Sequence, residues 1–179
     1  MGANLNGATL TDANLSGANL TLASLASVNA EGSNLEGTSL QSADLPGALL
    51  SNAQLSGADL EGANLENADL QRADLSDSTR TRRFIPFLGV QRFKYYTNAR
   101  RVNFTGANLR EANLEEAYFN SADLSNADLT ETHLDATHFK DANLTGATVD
   151  AAALEDLDLC GATLPDGTVS SQGCPELDE

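Results

Sequence analysis

A chain of 179 residues with 41% apolar but only 5% aromatic content has material for one domain, with a core built from small and aliphatic side chains. Ten basic against 26 acidic residues leave a net charge of −16. That charge opposes contact with phosphate backbones and anionic lipid over most of the surface, so direct nucleic-acid binding is not expected.

Residues 3–77 form a first repeat block. Leu recurs at every fifth position from Leu5 to Leu75, with Ala30 as the exception, and a small or β-branched residue such as Ala3, Ala8 or Ala13 stands two places earlier. Met1-Gly2-Ala3-Asn4-Leu5 already fits this pattern rather than a signal peptide, so any targeting segment is expected to be absent or removed. A period of five suits neither helix nor flat strand, because Leu would point in every direction on both. One inward face is recovered if the chain turns a corner once per unit, with the small residue and the Leu inward from one short side. Coils stacked at about 4.8 Å then satisfy each other's backbone groups and make a narrow rod. Where Ala30 replaces Leu, its inward partner is the larger Val28, so the two volumes trade.

From Leu75 to the next inward candidate, Phe104, is 29 residues, one short of a whole number of fives, and forcing the pattern onward puts Arg80 in the core. Residues 78–101 are therefore read as an inserted loop. They hold Arg80, Arg82, Arg83, Arg92, Lys94, Arg100 and Arg101, no acid, and five of the nine aromatics, for a charge of +7 against −23 on the remainder. Phe84-Ile85-Pro86-Phe87-Leu88 is too apolar to stand free in water, and Pro86 and Gly89 mark bends. Three readings stay open: a cover folded on its own acidic rod, a partner site, or contact with an anionic lipid surface. The candidate partner-binding residues are Arg82, Arg83, Phe84, Phe87, Arg92, Phe93, Lys94, Tyr95 and Tyr96.

A second repeat block, 102–166, continues the rule from Phe104 through Leu124 and Phe139 to Leu164. Ala58-Asp59-Leu60-Glu61-Gly62, Ala63-Asn64-Leu65-Glu66-Asn67 and Ala122-Asp123-Leu124-Ser125-Asn126 resemble the A-(D/N)-L-x-x unit of the pentapeptide-repeat family. The resemblance implies an all-β fold, a right-handed quadrilateral β-helix with twenty residues per coil; spacing alone leaves the number of sides open. Phe119 and Phe139, twenty apart, agree with four. It further implies proteins abundant in cyanobacteria, some lying in the periplasm or thylakoid lumen, and members that shield DNA gyrase by presenting an acidic rod shaped like duplex DNA.

Leu157-Asp158-Leu159 carries two large inward residues, which suits a closing coil, and 167–179 reads as a C-terminal cap and tail. Cys160 and Cys174, the only cysteines, bracket the turn signal Pro165-Asp166-Gly167. A disulfide between them would pin the tail, and the pair leans toward an extracytoplasmic compartment, periplasm or thylakoid lumen, over the cytoplasm. An uncapped end coil would expose unpaired edge groups and offer a route to a homodimer.

His133 and His138 precede inward residues and so point outward on adjacent sides, where solvated histidines outweigh a zinc site with Asp135 and Asp141. Repeated carboxylates on a uniform face do not supply the two differing environments that acid–base catalysis needs. No catalytic, cofactor-binding or metal-ligating set is read, and no enzyme is expected. The expected function is a non-enzymatic structural or protein-interaction module whose protein partner the sequence does not name; the alternative is a DNA mimic that binds a DNA-handling enzyme such as gyrase.

Overall fold

The structure is a computed structural model; it describes residues 2–85 and 89–175, with 78–85 and 89–95 described as backbone. Each unit makes one corner. The carbonyl of an inward residue accepts the N–H three places on, as Leu5 from Ala8 (3.0 Å) and Leu15 from Ala18 (2.9 Å). The third residue of this turn lies at positive φ, 65° at Gly7 and 70° at Gly17, the geometry of a type II turn. Asp12 (φ 55°), Asn52 (φ 59°) and Asn126 (φ 58°) hold the same place, as Asx residues tolerate.

The preference for Asp or Asn just before each inward Leu has a local cause. Its Oδ1 accepts the N–H two residues later, as in Asn14 from Ser16 (3.1 Å), Asp59 from Glu61 (3.2 Å) and Asp123 from Ser125 (2.9 Å), an Asx turn that stabilises the corner. At Asp44 the residue in that position is Pro46, which has no N–H.

Coils close after twenty residues. Leu5 donates to the Ser24 carbonyl (2.7 Å) and Ser24 to that of Ala3 (2.8 Å), and parallel bridges join Asn4 to Ser24, Thr9 to Asn29, Asn14 to Asn34 and Asn19 to Ser39. Four sides per coil follow. Each side exchanges a single pair of bonds before the next corner, so the sides are isolated bridges rather than extended strands. The outward side chains also form ladders along the rod: Asn64 Nδ2 donates to Asp44 Oδ1 (2.9 Å), Asn108 to Asp69 (3.0 Å) and Asn143 to Asp123 (3.1 Å). Along these bridges no Asp neighbours another Asp.

Inside, the Ala and Leu columns are fully buried from Leu40 to Leu75 and again from Ala99 to Leu129; a fully buried Leu contributes about 1.5–3 kcal/mol by transfer. Phe104, Phe119 and Phe139 stack in series with ring centroids 5.5 Å apart at each step. Val28 and Ala30 are both buried, yet an apolar void of about 10 Å³ remains beside them, lined by Leu10, Leu25 and Leu50 among others. It is too small and too apolar to hold water.

The insertion is not a loop but an antiparallel hairpin of β1 (Ser78–Ile85) and β2 (Gly89–Tyr95), in register from Ser78↔Tyr95 to Arg82↔Gln91, with an irregularity before Ile85↔Gly89. Its β-branched and aromatic residues (Thr79, Thr81, Phe84, Ile85, Val90, Phe93) favour strand. It also ends earlier than 101. Thr97 and Ala99 are fully buried, and Asn98 bridges Asp59 and Tyr118, so 97–101 is a coil unit. Its inward residues are Thr and Ala rather than Ala and Leu, which hid it. The excursion is thus nineteen residues, 78–96, and the bridge offset across it, 39 from Asp59 to Asn98, is twenty plus nineteen. Thr97 Oγ1 seals its mouth, donating to the Ser76 carbonyl (2.8 Å) and accepting the Gly57 N–H (2.9 Å).

Beyond Val149 one side gives way to a 3-10 turn, η1 (Ala151–Leu154), capped by the Asp150 carboxylate on Ala152 N–H (3.0 Å). Leu154, Leu157 and Leu159 are all buried there. The tail then turns back: Ser170 donates to Ala162 (2.8 Å), Gly161 to Ser170 (2.9 Å), and Thr163 bridges Val169 antiparallel. Gln172 Nε2 reaches the carbonyls of Leu154, Glu155 and Leu157 at 2.7–2.9 Å, and Cys160 and Cys174 are joined by a disulfide with Cα atoms 4.7 Å apart.

Candidate functional site

Among the candidate residues, Arg82, Arg83, Phe84, Arg92, Phe93, Lys94 and Tyr95 all fall on the hairpin backbone, where Thr81 pairs with Arg92, Arg80 with Phe93, Thr79 with Lys94 and Ser78 with Tyr95. Phe87 lies outside the described residues. With the boundary at residue 96, Arg100 and Arg101 belong to the rod. The hairpin's charge is then +5, from Arg80, Arg82, Arg83, Arg92 and Lys94 without an acid, and the rod's is −21, from five basic and 26 acidic residues.

The hairpin leaves the rod at Asp77, the head of an acidic corner. Asp77 N–H donates to the Glu115 carbonyl (3.2 Å), and Glu116 N–H to that of Asp135 (2.9 Å), so these residues stack along one edge with Glu115 and Asp135 exposed. It returns beside an aromatic ladder that the sequence reading did not single out. Tyr96, 44% exposed, meets Tyr118 edge-on with centroids 5.2 Å apart; Tyr118 stacks on His138 at 4.5 Å and 10°; and the Arg100 guanidinium lies 4.9 Å from the Tyr118 ring centre. The signal was available, since Tyr118 and His138 stand twenty apart in the position before the inward residue, as Phe119 and Phe139 do in the inward one.

Three of the rod's other basic residues serve local pairs: Arg72 with Glu111 (2.7 Å), Arg110 with Glu131 (2.9 Å) and Arg101 with Glu61 (3.4 Å). The Arg72 hydrogen bond holds the Glu111 carboxyl below its ordinary range, and the Thr130 hydroxyl does the same for Asp128. These exposed pairs add little stability. His133 is exposed on the side next to that of the half-buried His138. Among the described residues no three His, Cys, Asp or Glu side chains are grouped to hold a metal ion, and no helix is long and apolar enough to cross a membrane.

A family model described as pentapeptide repeats matches in 8 copies, over residues 3–41, 18–53, 38–77, 100–135 and 122–166. No curated protein matches by sequence. Among solved structures, the chain is similar to HetL, a pentapeptide repeat protein involved in heterocyst differentiation regulation from the cyanobacterium Nostoc, at 26% identity over 94% of this chain and 92% of that one, with a TM-score of 0.42. It is similar to a trypsin-treated form of QnrB1, a plasmid-mediated fluoroquinolone resistance protein, at 20% identity over 89% and 81%, with a TM-score of 0.51. A pentapeptide repeat protein from the Arabidopsis thaliana thylakoid lumen is 24% identical over 92% and 84%, with a TM-score of 0.24. The likeness to QnrB1 is one of fold.

Proposed function

The chain belongs to the pentapeptide-repeat family, and from that premise we propose that it is a non-enzymatic interaction module: a right-handed quadrilateral β-helical rod that presents a basic, aromatic hairpin to a protein partner. The observation that carries this reading is the segregation of charge, +5 on nineteen residues against −21 on the rest. Arg, Phe and Tyr together are the residue types in which binding energy concentrates at interfaces. The test is affinity capture from the native extract at low salt, with intact protein and with a hairpin-deleted form. Partners lost on deletion support the reading; an unchanged set refutes it.

The second reading is a DNA mimic that binds a DNA-handling enzyme such as gyrase, favoured by acidic residues arrayed along the rod. Inhibition of gyrase supercoiling by the purified protein would select it. We place the protein outside the cytoplasm, in a periplasm or thylakoid lumen, on the strength of the Cys160–Cys174 bond. The tail occupies the edge of the last coil, so self-association through that end is not part of the proposal.

A further inference from the structure

Tyr118 and His138 break the rule that builds the corners. Where Asn or Asp stands between the two inward residues of a side, Asp44 before Pro46 aside, it offers an oxygen to the N–H two places on, as Asn98 does to Arg100 (3.3 Å), Asn113 to Glu115 (3.2 Å) and Asn143 to Thr145 (3.1 Å). A phenol ring or an imidazole cannot reproduce that bond. Other residues in this place, such as Leu49, Gln54 and His133, each lie beside an Asn or Asp on the neighbouring rung, whereas Tyr118 and His138 occupy successive rungs of one side and stack on each other, and Tyr96 joins them to the foot of the hairpin. Departures from a local rule that stabilises the fold mark places where another demand is met.

The corner next to this ladder gathers three of the rod's five basic residues: Arg100, Arg101 and Lys140. Arg101 faces Glu61. Arg100 lies over Tyr118, and among the described residues neither Arg100 nor Lys140 has a carboxylate partner. Between their two coils sits Asn120, whose Oδ1 is buried without a donor.

We infer that Tyr96, Tyr118 and His138, with Arg100 and Lys140, form a second half of the binding surface that begins on the hairpin, and that this half receives a short acidic polypeptide segment. The inference rests on the reading of the hairpin as a partner site. Two cations without carboxylate partners among the described residues call for anionic groups, and the exposed Tyr96 ring beside them offers a flat apolar face, a combination matched by a segment that mixes carboxylate with apolar side chains. From Tyr96 to His138 the ladder runs through ring separations of 5.2 and 4.5 Å, the length of about three extended residues. A broad anionic surface would meet Glu115 and Asp135 on the adjoining corner and Asp158 on the rung beyond His138, whereas a narrow segment no longer than the ladder stops short of them.

The test uses the double variant Tyr118→Asn/His138→Asn, which restores the corner bonds, beside wild type and the hairpin deletion. Binding of poly(Glu,Tyr) copolymer at low salt is followed by fluorescence anisotropy, with anionic phosphatidylglycerol vesicles and heparin as competing probes. The expected result is copolymer binding by wild type, at least tenfold weaker binding by the double variant, and a melting temperature for that variant equal to or above wild type. A lowered melting temperature would show the ladder to be a structural clamp and overturn the inference. Equal copolymer binding by the double variant, with loss on hairpin deletion, would overturn it while leaving the hairpin reading standing. Wild-type preference for vesicles or heparin, or binding to none of the probes, would overturn the assignment of an acidic polypeptide.

Discussion

Deleting residues 78–96 and bonding Asp77 directly to Thr97 should leave the rod folded without any linker. The bridge offset of 39 between Asp59 and Asn98 becomes twenty when nineteen residues are removed, so Leu75-Ser76-Asp77-Thr97-Asn98-Ala99 reads as an uninterrupted corner. Closing a nineteen-residue connection costs about 2.6 kcal/mol of chain entropy by the logarithmic loop rule, before its constant, and the deletion removes that cost. Against it, Asp77 must adopt the positive φ that Gly57 (66°) and Glu116 (57°) hold in the same column, at about 1–2 kcal/mol for a residue other than glycine. The two effects nearly cancel. Urea and thermal unfolding followed by circular dichroism should therefore place the deletion within about 2 kcal/mol of wild type, a shift below about 8 °C, with an unchanged rod length in solution scattering. A loss beyond about 3 kcal/mol, or failure to fold, would show that the hairpin holds the two blocks together and would refute the reasoning.

Reducing the Cys160–Cys174 bond should release about 3 kcal/mol of loop-entropy stabilisation, given its sequence separation of 14. Hydrogen exchange should quicken over 157–174 while the first block is untouched, and a uniform loss of protection would contradict that locality. At the void, Ala30→Leu alone should destabilise by about 1–3 kcal/mol through overpacking, and Val28→Ala alone by about 1 kcal/mol. The pair together restores the common unit and should recover wild-type stability; additive losses in chemical denaturation would refute the volume trade. Thr130 lowers the Asp128 pKa through its hydroxyl and N–H, so the folded carboxylate contributes stability above the unfolded pKa, about 3.9, and loses it as pH falls through the depressed folded value. The difference between wild type and Thr130→Ala should be full at neutral pH and vanish in acid; a pH-independent difference would exclude this cause.

The five-residue period, the inward columns and the place where the coil is interrupted were all legible from Leu spacing. The end of the interruption was not, because Thr97 and Ala99 lack the Leu that marked every other unit, and the charge assigned to the insertion was too high by two arginines as a result. The number of sides carried a signal that went unread. Spacings of fifteen would set Asp44 against Asp59 and Asp59 against Asp74, and a spacing of twenty-five would set Asp44 against Asp69; at twenty no Asp meets another along the bridges. Like charges placed opposite each other are destabilising, so the carboxylates themselves disfavour three- and five-sided coils. The aromatic ladder was hidden for a different reason: exterior rings at wide spacing become neighbours only once the coil length is known.

The nineteen-residue hairpin adds mass without disturbing angular phase. Inserting one pentapeptide between Ala99 and Ala117 would turn everything downstream by a quarter revolution, carrying Tyr118 and His138 away from the side where Tyr96 descends. An excursion that returns to the residue where it left adds no rotation, whatever its length. The rod thus behaves as an indexed shaft: its hairpin can lengthen, shorten or change sequence freely, while the bearing of one face upon another is fixed by the count of coil residues between them.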